Sequence, residues 1–231
     1  MKDSIRTKLE AMISALREAP NVALLHAELG PPASDEDIAR LQAWFDEADA
    51  APLTALYRAA NGVQVRWMSK HSKRYKAAPE KFAPGHVDWF YARIDGMENA
   101  KEDGVVLLPP IEVLLAHDWR DHFDGVEIEI DGEYLTDEDE LAKNVLPFDW
   151  SHFYYLPSVF RADAKVRVGS DYGIDFDGPI RTVSAYVNDL VKSFGVPSPR
   201  MGRDGRFVKF APKTAEQAAE QVAAALAGDE E

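Results

Sequence analysis

The chain has 231 residues, no cysteine, 46% hydrophobic residues and a formal net charge of −14. The hydrophobic share is sufficient for a packed core, and the lack of cysteine excludes disulfides, thiol nucleophiles and thiolate metal sites. Because the surplus negative charge repels phosphate backbones and anionic lipids, it argues against a nucleic-acid or membrane binder. It favours a basic partner, although the same charge also serves solubility alone.

The N-terminal region has charged residues in every turn and lacks an apolar run of signal-peptide length. No stretch approaches the roughly 20 apolar residues that are needed to span a bilayer. We therefore expect a soluble, cytoplasmic protein, which agrees with the absence of cysteine.

Three helices are predicted in the first 62 residues. Apolar residues at helical spacing indicate the first, which ends at Pro20. Ser34 precedes three carboxylates and is predicted to cap the second helix. Pro52 begins a third helix, which ends at Asn61-Gly62. The predicted buried faces comprise Ile5, Leu9, Met12, Ile13 and Leu16, then Ile38, Leu41 and Phe45, then Leu53, Leu56, Tyr57 and Ala60.

From Val63 onward the apolar spacing shifts to period two, which predicts strands. Strands are expected at 63–67, 87–94, 105–108, 126–130, 134–135, 145–148, 153–156, 165–168 and 172–176. Asp131-Gly132 predicts a tight hairpin turn. The basic stretch 70–81 predicts a solvated loop. Short helices are expected after Pro109-Pro110 and at 136–143, and further helices from Ser184 to Gly195 and from Thr214.

This order of elements predicts an α+β fold with a largely antiparallel, multi-stranded sheet and helices packed on it. We assign residues 1–195, including the helix at 4–19, to one domain, and residues 196–231 to a Pro/Gly-rich linker and a C-terminal helix. The apolar face of that last helix is thin, so we expect it to pack loosely.

Several segments resemble the SUKH superfamily, which includes the yeast Smi/Knr-like cell-wall regulators and many bacterial immunity proteins. The first is GPPASDEDIARLQAWF at 30–45, followed by PLTALYRAANG at 52–62 and a strand that ends in Trp67. VVLLPPIEV at 105–113, VLPFDWSHFYYL at 145–156 and TVSAYVNDLVKSF at 182–194 follow in the same order. The resemblance covers residues 22–195; this chain is longer between Val113 and Val145 and extends beyond Gly195.

The resemblance implies an α+β scaffold that binds other proteins. In bacteria, similar domains are cytoplasmic antidotes that block a toxin, often a nuclease. On this basis we expect a non-catalytic protein-binding domain, an immunity protein that neutralises a bacterial toxin by occluding its active site. The alternatives are a regulatory scaffold of the cell-wall or signalling type and a metal-dependent hydrolase that uses His117 and His122.

Eight of the fourteen residues at 127–140 are acidic, and none is basic. Alternation along the predicted strand places Glu127 and Glu129 on one face and Ile128 and Ile130 on the other. Such an anionic surface would compete with nucleic acid for a basic toxin cleft. The other interpretation is a solvated sheet edge that is protected from aggregation by charge. The predicted partner-binding residues are Glu127, Glu129, Asp131, Glu133, Asp171, Asp175 and Asp177.

The sequence carries no nucleotide-binding or hydrolase motif that we recognise. His117 and His122 lie five residues apart, so on a helix they would point about 140° away from each other. We therefore expect a polar helix end beside an anchoring Trp119 and no metal site there. Asp149, with His152 and the carboxylates at 171–177, could supply paired carboxylates, but no pattern brings them together. We predict no catalytic residue and no cofactor; the expected partner is a basic protein, not nucleic acid or a membrane.

Overall fold

The structure is a computed structural model. It describes residues 5–45, 49–82, 84–85, 102–120, 128–130, 133–151, 157–168, 176, 180–197 and 210–226; residues 129, 130 and 133 are described by their backbone alone.

Helices and strands alternate irregularly along these segments. The helices are α1 (Ile5–Glu18), α2 (Asp35–Trp44), α3 (Ala51–Ala59), α4 (Lys73–Ala77), α5 (Ile111–Ala116), α6 (Glu138–Asn144), α7 (Val183–Lys192) and α8 (Ala215–Leu226). The strands are β1 (Val22–Leu29), β2 (Val63–Ser69), β3 (Gly104–Leu108), β4 (Ile128–Ile130), β5 (Glu133–Leu135), β6 (Val145–Pro147), β7 (Pro157–Phe160), β8 (Lys165–Val168) and β9 (Arg181–Thr182).

The first three helices form as their sequence patterns predict. The Ser34 hydroxyl accepts a hydrogen bond from the Asp37 backbone N–H at 3.1 Å, so it caps α2. The predicted inward residues of α1, α2 and α3 are buried, except that Ile5 is only partly so. Gly62 adopts a positive φ of 102°, the left-handed conformation that favours glycine after a helix end.

The first sheet has the order β1-β2-β3, and both pairings are antiparallel. The central strand β2 is buried on both faces, since Gln64 and Met68 are as inaccessible as Val65 and Trp67. In β1, the register shifts between Leu24 and His26, where a bulge interrupts the ladder.

The second sheet has the order β6-β7-β8-β9 and is also antiparallel throughout. The segment that follows β6 joins this sheet to β3 of the first sheet. The Trp150 backbone N–H donates to the Leu107 carbonyl at 2.8 Å, and the Leu107 backbone N–H donates to the Ser151 hydroxyl at 3.0 Å. The predicted α+β class with antiparallel sheets is therefore confirmed. The strands predicted at 87–94, 153–156 and 172–176 lie outside the described residues, apart from Phe176.

The prediction of a loop at 70–81 is wrong, because this stretch forms α4 and a single 3₁₀ turn, Pro79–Lys81. The Ser72 hydroxyl caps α4 by accepting from the Tyr75 N–H at 3.2 Å. Arg74 then reaches the buried carboxylate of Asp103 at 2.9 Å. This partner lies far along the sequence, so the local pattern of basic residues does not reveal it.

The C-terminal helix α8 packs against α1 and the first sheet, instead of the loose packing that its thin apolar face suggested. Ala218, Ala219 and Val222 are almost completely buried. The Asn21 side-chain amide also donates to the Glu216 carbonyl at 3.0 Å. Small alanine side chains allow the helix to approach the sheet closely, so a narrow stripe is enough for docking. The domain boundary at 195/196 stays a prediction.

The end of α7 is fixed to the first sheet. The Trp67 indole N–H donates to the Phe194 carbonyl at 2.7 Å, and the Val105 N–H donates to the Gly195 carbonyl at 2.9 Å. Gly104 makes room for this indole, since a Cβ at this position would lie 1.9 Å from the Trp67 Nε1.

Candidate partner-binding surface

All seven carboxylates predicted to bind a partner fall where the structure gives no side chains. Five of them, Glu127, Asp131, Asp171, Asp175 and Asp177, lie outside the described residues. Glu129 and Glu133 are described by their backbone alone. Their role in partner binding stays a prediction.

The antiparallel pairing of the two predicted hairpin strands is confirmed, whereas the predicted turn at Asp131-Gly132 lies outside the described residues. Strands β4 and β5 pair in antiparallel register, Ile130 opposite Glu133, so two residues connect them. Ile128 is buried, as the alternation predicts, whereas Tyr134 is 69% exposed and pairs with Glu129. The hairpin therefore has one face in the core and presents an aromatic ring to solvent on the other.

Directly after the hairpin, the first turn of α6 displays four exposed acidic residues, 137–140. The Asp137 carboxylate accepts from the Glu140 N–H at 3.1 Å and caps the helix. Acidic side chains are stabilised at this end by the partial positive charge of the helix N-terminus. The sequence thus folds locally in a way that concentrates negative charge at one place.

Two cations lie at the edge of this cluster. The Arg120 guanidinium binds Asp118, with its Nε 2.8 Å from the Asp118 Oδ1, and it reaches Asp139 at 3.4 Å. Lys143 lies 3.4 Å from Glu140. The hydrogen bonds from Arg120 lower the pKa of Asp118, so this carboxylate remains ionised at neutral pH. Arg120 and Lys143 were not singled out from the sequence; Arg120 comes from a separate segment.

We define the acidic surface as Asp118, Arg120, Tyr134, residues 137–140 and Lys143. Its five carboxylates and two cations leave three net negative charges. An open depression of about 520 Å³ lies in it, lined by Arg120, Thr136 and residues 137–139. Tyr134, which is exposed, precedes the carboxylates at 137–140 by only a few residues in the chain. Charged residues are typical of the rim of a protein–protein interface, and tyrosine is a frequent hot-spot residue.

His117, which follows α5, packs against two tryptophan rings. The His117 ring lies edge-on to Trp119, with centroids 4.1 Å apart, and 5.7 Å from Trp150. Trp119 is buried and donates from its indole to the Leu114 carbonyl at the end of α5, at 3.4 Å. This arrangement matches the anchoring role expected for Trp119. In the described part of the chain, no group of three or more His, Asp or Glu residues is placed to hold a metal ion; His122 lies outside it.

Asp149, considered above as a carboxylate for acid–base work, is completely buried in the core. It accepts hydrogen bonds from the Tyr186 hydroxyl at 2.5 Å and from the Ser151 backbone N–H at 3.0 Å, and also contacts the Ser151 hydroxyl. His152 and the carboxylates at 171–177 lie outside the described residues. A buried carboxylate with these donors stabilises the packing of α7 against the segment after β6.

Comparisons of this chain with protein-family models, with curated proteins and with solved structures found no match. The resemblance to the SUKH superfamily therefore stays a prediction. Within the segments that the structure describes, no helix combines the length and the apolar character that crossing a membrane requires.

Proposed function

We propose that this protein is a non-catalytic binding domain of the SUKH type that neutralises a basic bacterial toxin in the cytoplasm. The acidic surface would cover the positively charged cleft with which such a toxin binds its substrate. If the toxin is a nuclease, the carboxylates of this surface would occupy the place of nucleic-acid phosphates.

The observation that carries the proposal is the acidic surface itself. Its carboxylates are exposed, an exposed tyrosine precedes four of them in the chain, and the whole sequence has a net charge of −14. Complementary charge accelerates the encounter of two proteins and disfavours partners of the wrong sign. The resemblance of residues 22–195 to an immunity-protein family supports the same conclusion.

Where a toxin gene lies beside this gene, the test is growth of bacteria that express that toxin together with the wild-type chain or with variants. Glu138→Lys/Asp139→Lys reverses two charges of the acidic surface and leaves the Asp137 cap intact. Glu216→Lys/Glu220→Lys is the matched control, since it makes the same charge change on exposed positions of α8. We expect the wild type and the control to protect the cells and the first variant to lose protection.

Binding of the purified proteins gives a second measurement. The dissociation constant of the Glu138→Lys/Asp139→Lys variant should rise at least about tenfold, because two attractive charges become repulsive. Lack of protection by the wild type would contradict the neutralising role. Equal protection by both double variants would contradict the role of the acidic surface.

A further inference from the structure

A cleft of about 170 Å³ opens at the N-terminal end of α5. It is lined by Glu28, Gly30, Pro31, Asn61, Gly62, Gln64, Pro110 and Glu112. These residues come from three separate segments of the chain: the end of β1, the turn between α3 and β2, and the start of α5. Its volume is below the roughly 300–1,000 Å³ of sites for drug-sized ligands, so it suits a single side chain.

The backbone around the cleft is tightly fixed. The Gly30 N–H donates to the Gly62 carbonyl at 2.8 Å, and the Asn61 N–H donates to the Pro31 carbonyl at 2.7 Å. The Asn61 side-chain oxygen accepts from the Ile111 N–H at 2.8 Å. A Cβ on Gly30 would lie 2.1 Å from the Asn61 carbonyl oxygen, so only glycine fits at this close approach. The cleft is therefore preformed, which reduces the entropic cost of filling it.

The charge of the cleft is negative. Among its lining residues that the structure describes, the two charged ones are the carboxylates of Glu28 and Glu112. The Asn61 amide donates to Glu112 at 3.2 Å, and Glu28 lies 3.2 Å from the His26 imidazole. Arg6 donates to the Gly30 carbonyl at 3.1 Å, and its charge is matched by Glu10 at 2.9 Å.

We infer that this cleft takes an arginine side chain of the partner protein. The rings of Pro31 and Pro110 offer apolar contact to the methylene stem, and the carboxylates offer acceptors to the guanidinium. A planar guanidinium can donate to two separate acceptors at once, which the compact ammonium of lysine does less well. The inference rests on the proposed function, because it names the contact group that a basic partner would insert.

The cleft and the acidic surface are close enough to serve one interface. Glu112 in the cleft and Asp118 in the acidic surface are six residues apart, so even a fully extended chain separates their Cα atoms by at most about 22 Å. A standard interface of about 800 Å² per partner is roughly 30 Å across. The distance between the two regions therefore does not exceed the span of one interface.

The experiment uses a synthetic peptide with a single arginine between glycine and serine residues, titrated into ¹⁵N-labelled full-length protein. Peptides with lysine or with citrulline, which is neutral and nearly isosteric with arginine, replace it in parallel titrations. We expect the arginine peptide to shift the amide resonances of Gly30, Gly62 and the Asn61 side chain. The lysine peptide should shift them less, and the citrulline peptide should not.

Two variants test the role of the carboxylates. Glu112→Gln keeps an acceptor for Asn61 but removes the charge, and we expect the dissociation constant of the arginine peptide to rise about two- to fivefold. Glu220→Gln, which removes an exposed charge on α8, is the matched control and should leave the constant within about twofold of wild type.

Equal shifts with citrulline, or no shift of these three groups at tens of millimolar arginine peptide, would contradict the cleft as a cation site. Equal binding of the lysine peptide would contradict the choice of arginine. No toxin is present in the titration. The titration and the growth test can therefore fail independently, so failure of the arginine site is distinguishable from failure of the proposed function.

Discussion

The buried carboxylate of Asp149 depends on the side chains that donate to it. Tyr186 and Ser151 supply these hydrogen bonds, and all three residues are completely buried. The neighbouring phenol of Tyr57 is equally buried, yet no hydrogen-bond partner of its hydroxyl is found among the described residues. Two tyrosines in the same core thus differ in what their hydroxyl groups contribute.

This difference predicts that changing tyrosine to phenylalanine affects stability differently at the two positions. Tyr186→Phe should lower the free energy of unfolding by about 1–3 kcal/mol, because Asp149 loses a buried donor. Tyr57→Phe removes a hydroxyl without a partner and should change the free energy by less than about 0.5 kcal/mol, or raise it. Urea denaturation of both variants measures this. Equal losses would contradict the contacts assigned to Tyr186.

The Tyr57 phenol also predicts an alkaline effect on stability. Burial raises its pKa above the ordinary value of about 10, and the carboxylates of Asp149 and Glu112 act in the same direction. Above about pH 10 the unfolded phenol ionises while the folded one keeps its proton. The contribution of Tyr57 to stability is therefore present below that pH and is lost as the pH rises.

We expect the free energy of unfolding of the wild type to fall more steeply between about pH 9 and 11 than that of Tyr57→Phe, by up to about 1.4 kcal/mol per pH unit. Chemical denaturation at several pH values measures both slopes. Identical slopes would show that the phenol ionises equally in the folded and unfolded states.

At the scale of elements, the sequence predicts best those helices whose ends carry local signals. Ser34 and Pro52 mark helix starts, and the structure places α2 and α3 there. The sequence prediction contains no element at 22–29, where the structure has β1, a strand whose register shifts between Leu24 and His26. Helix α4 also begins at a capping serine, Ser72, but the sequence prediction treats this stretch as a loop; its Arg74 pairs with Asp103, a partner that only the fold brings near.

Helix α8 shows how little apolar surface is enough for docking when the side chains are small. Ala218 has no exposed surface, whereas Ala224 on the same helix is exposed. We predict that Ala218→Glu lowers the free energy of unfolding by about 2–3 kcal/mol, because a charge enters the packed stripe or the helix detaches.

Ala224→Glu is the matched control and should change the free energy by no more than about 0.5 kcal/mol. Urea denaturation of the two variants gives the comparison. A small effect of Ala218→Glu, equal to that of the control, would mean that α8 contributes little to the stability of the folded chain.

At the scale of the whole molecule, the composition indicates an acidic protein, but it does not show where the charges collect. The acidic run at 127–140 could be found in the sequence, since its members are neighbours in the chain. The cleft could not, because Gly30, Asn61 and Pro110 meet only through the pairing of β1 with β2 and the turn before α5. Arg120 likewise joins Asp118 to Asp139 across separate segments.

The central claim is that clustered negative charge draws a basic partner to this surface. The most direct test is the association rate constant of the purified chain with the basic toxin that the proposal assigns to it as partner, measured by stopped-flow mixing from about 0.05 to 0.5 M salt. We predict a fall of at least about tenfold with rising salt and a much smaller change in the dissociation rate. An association rate constant that stays the same across this range would contradict the claim.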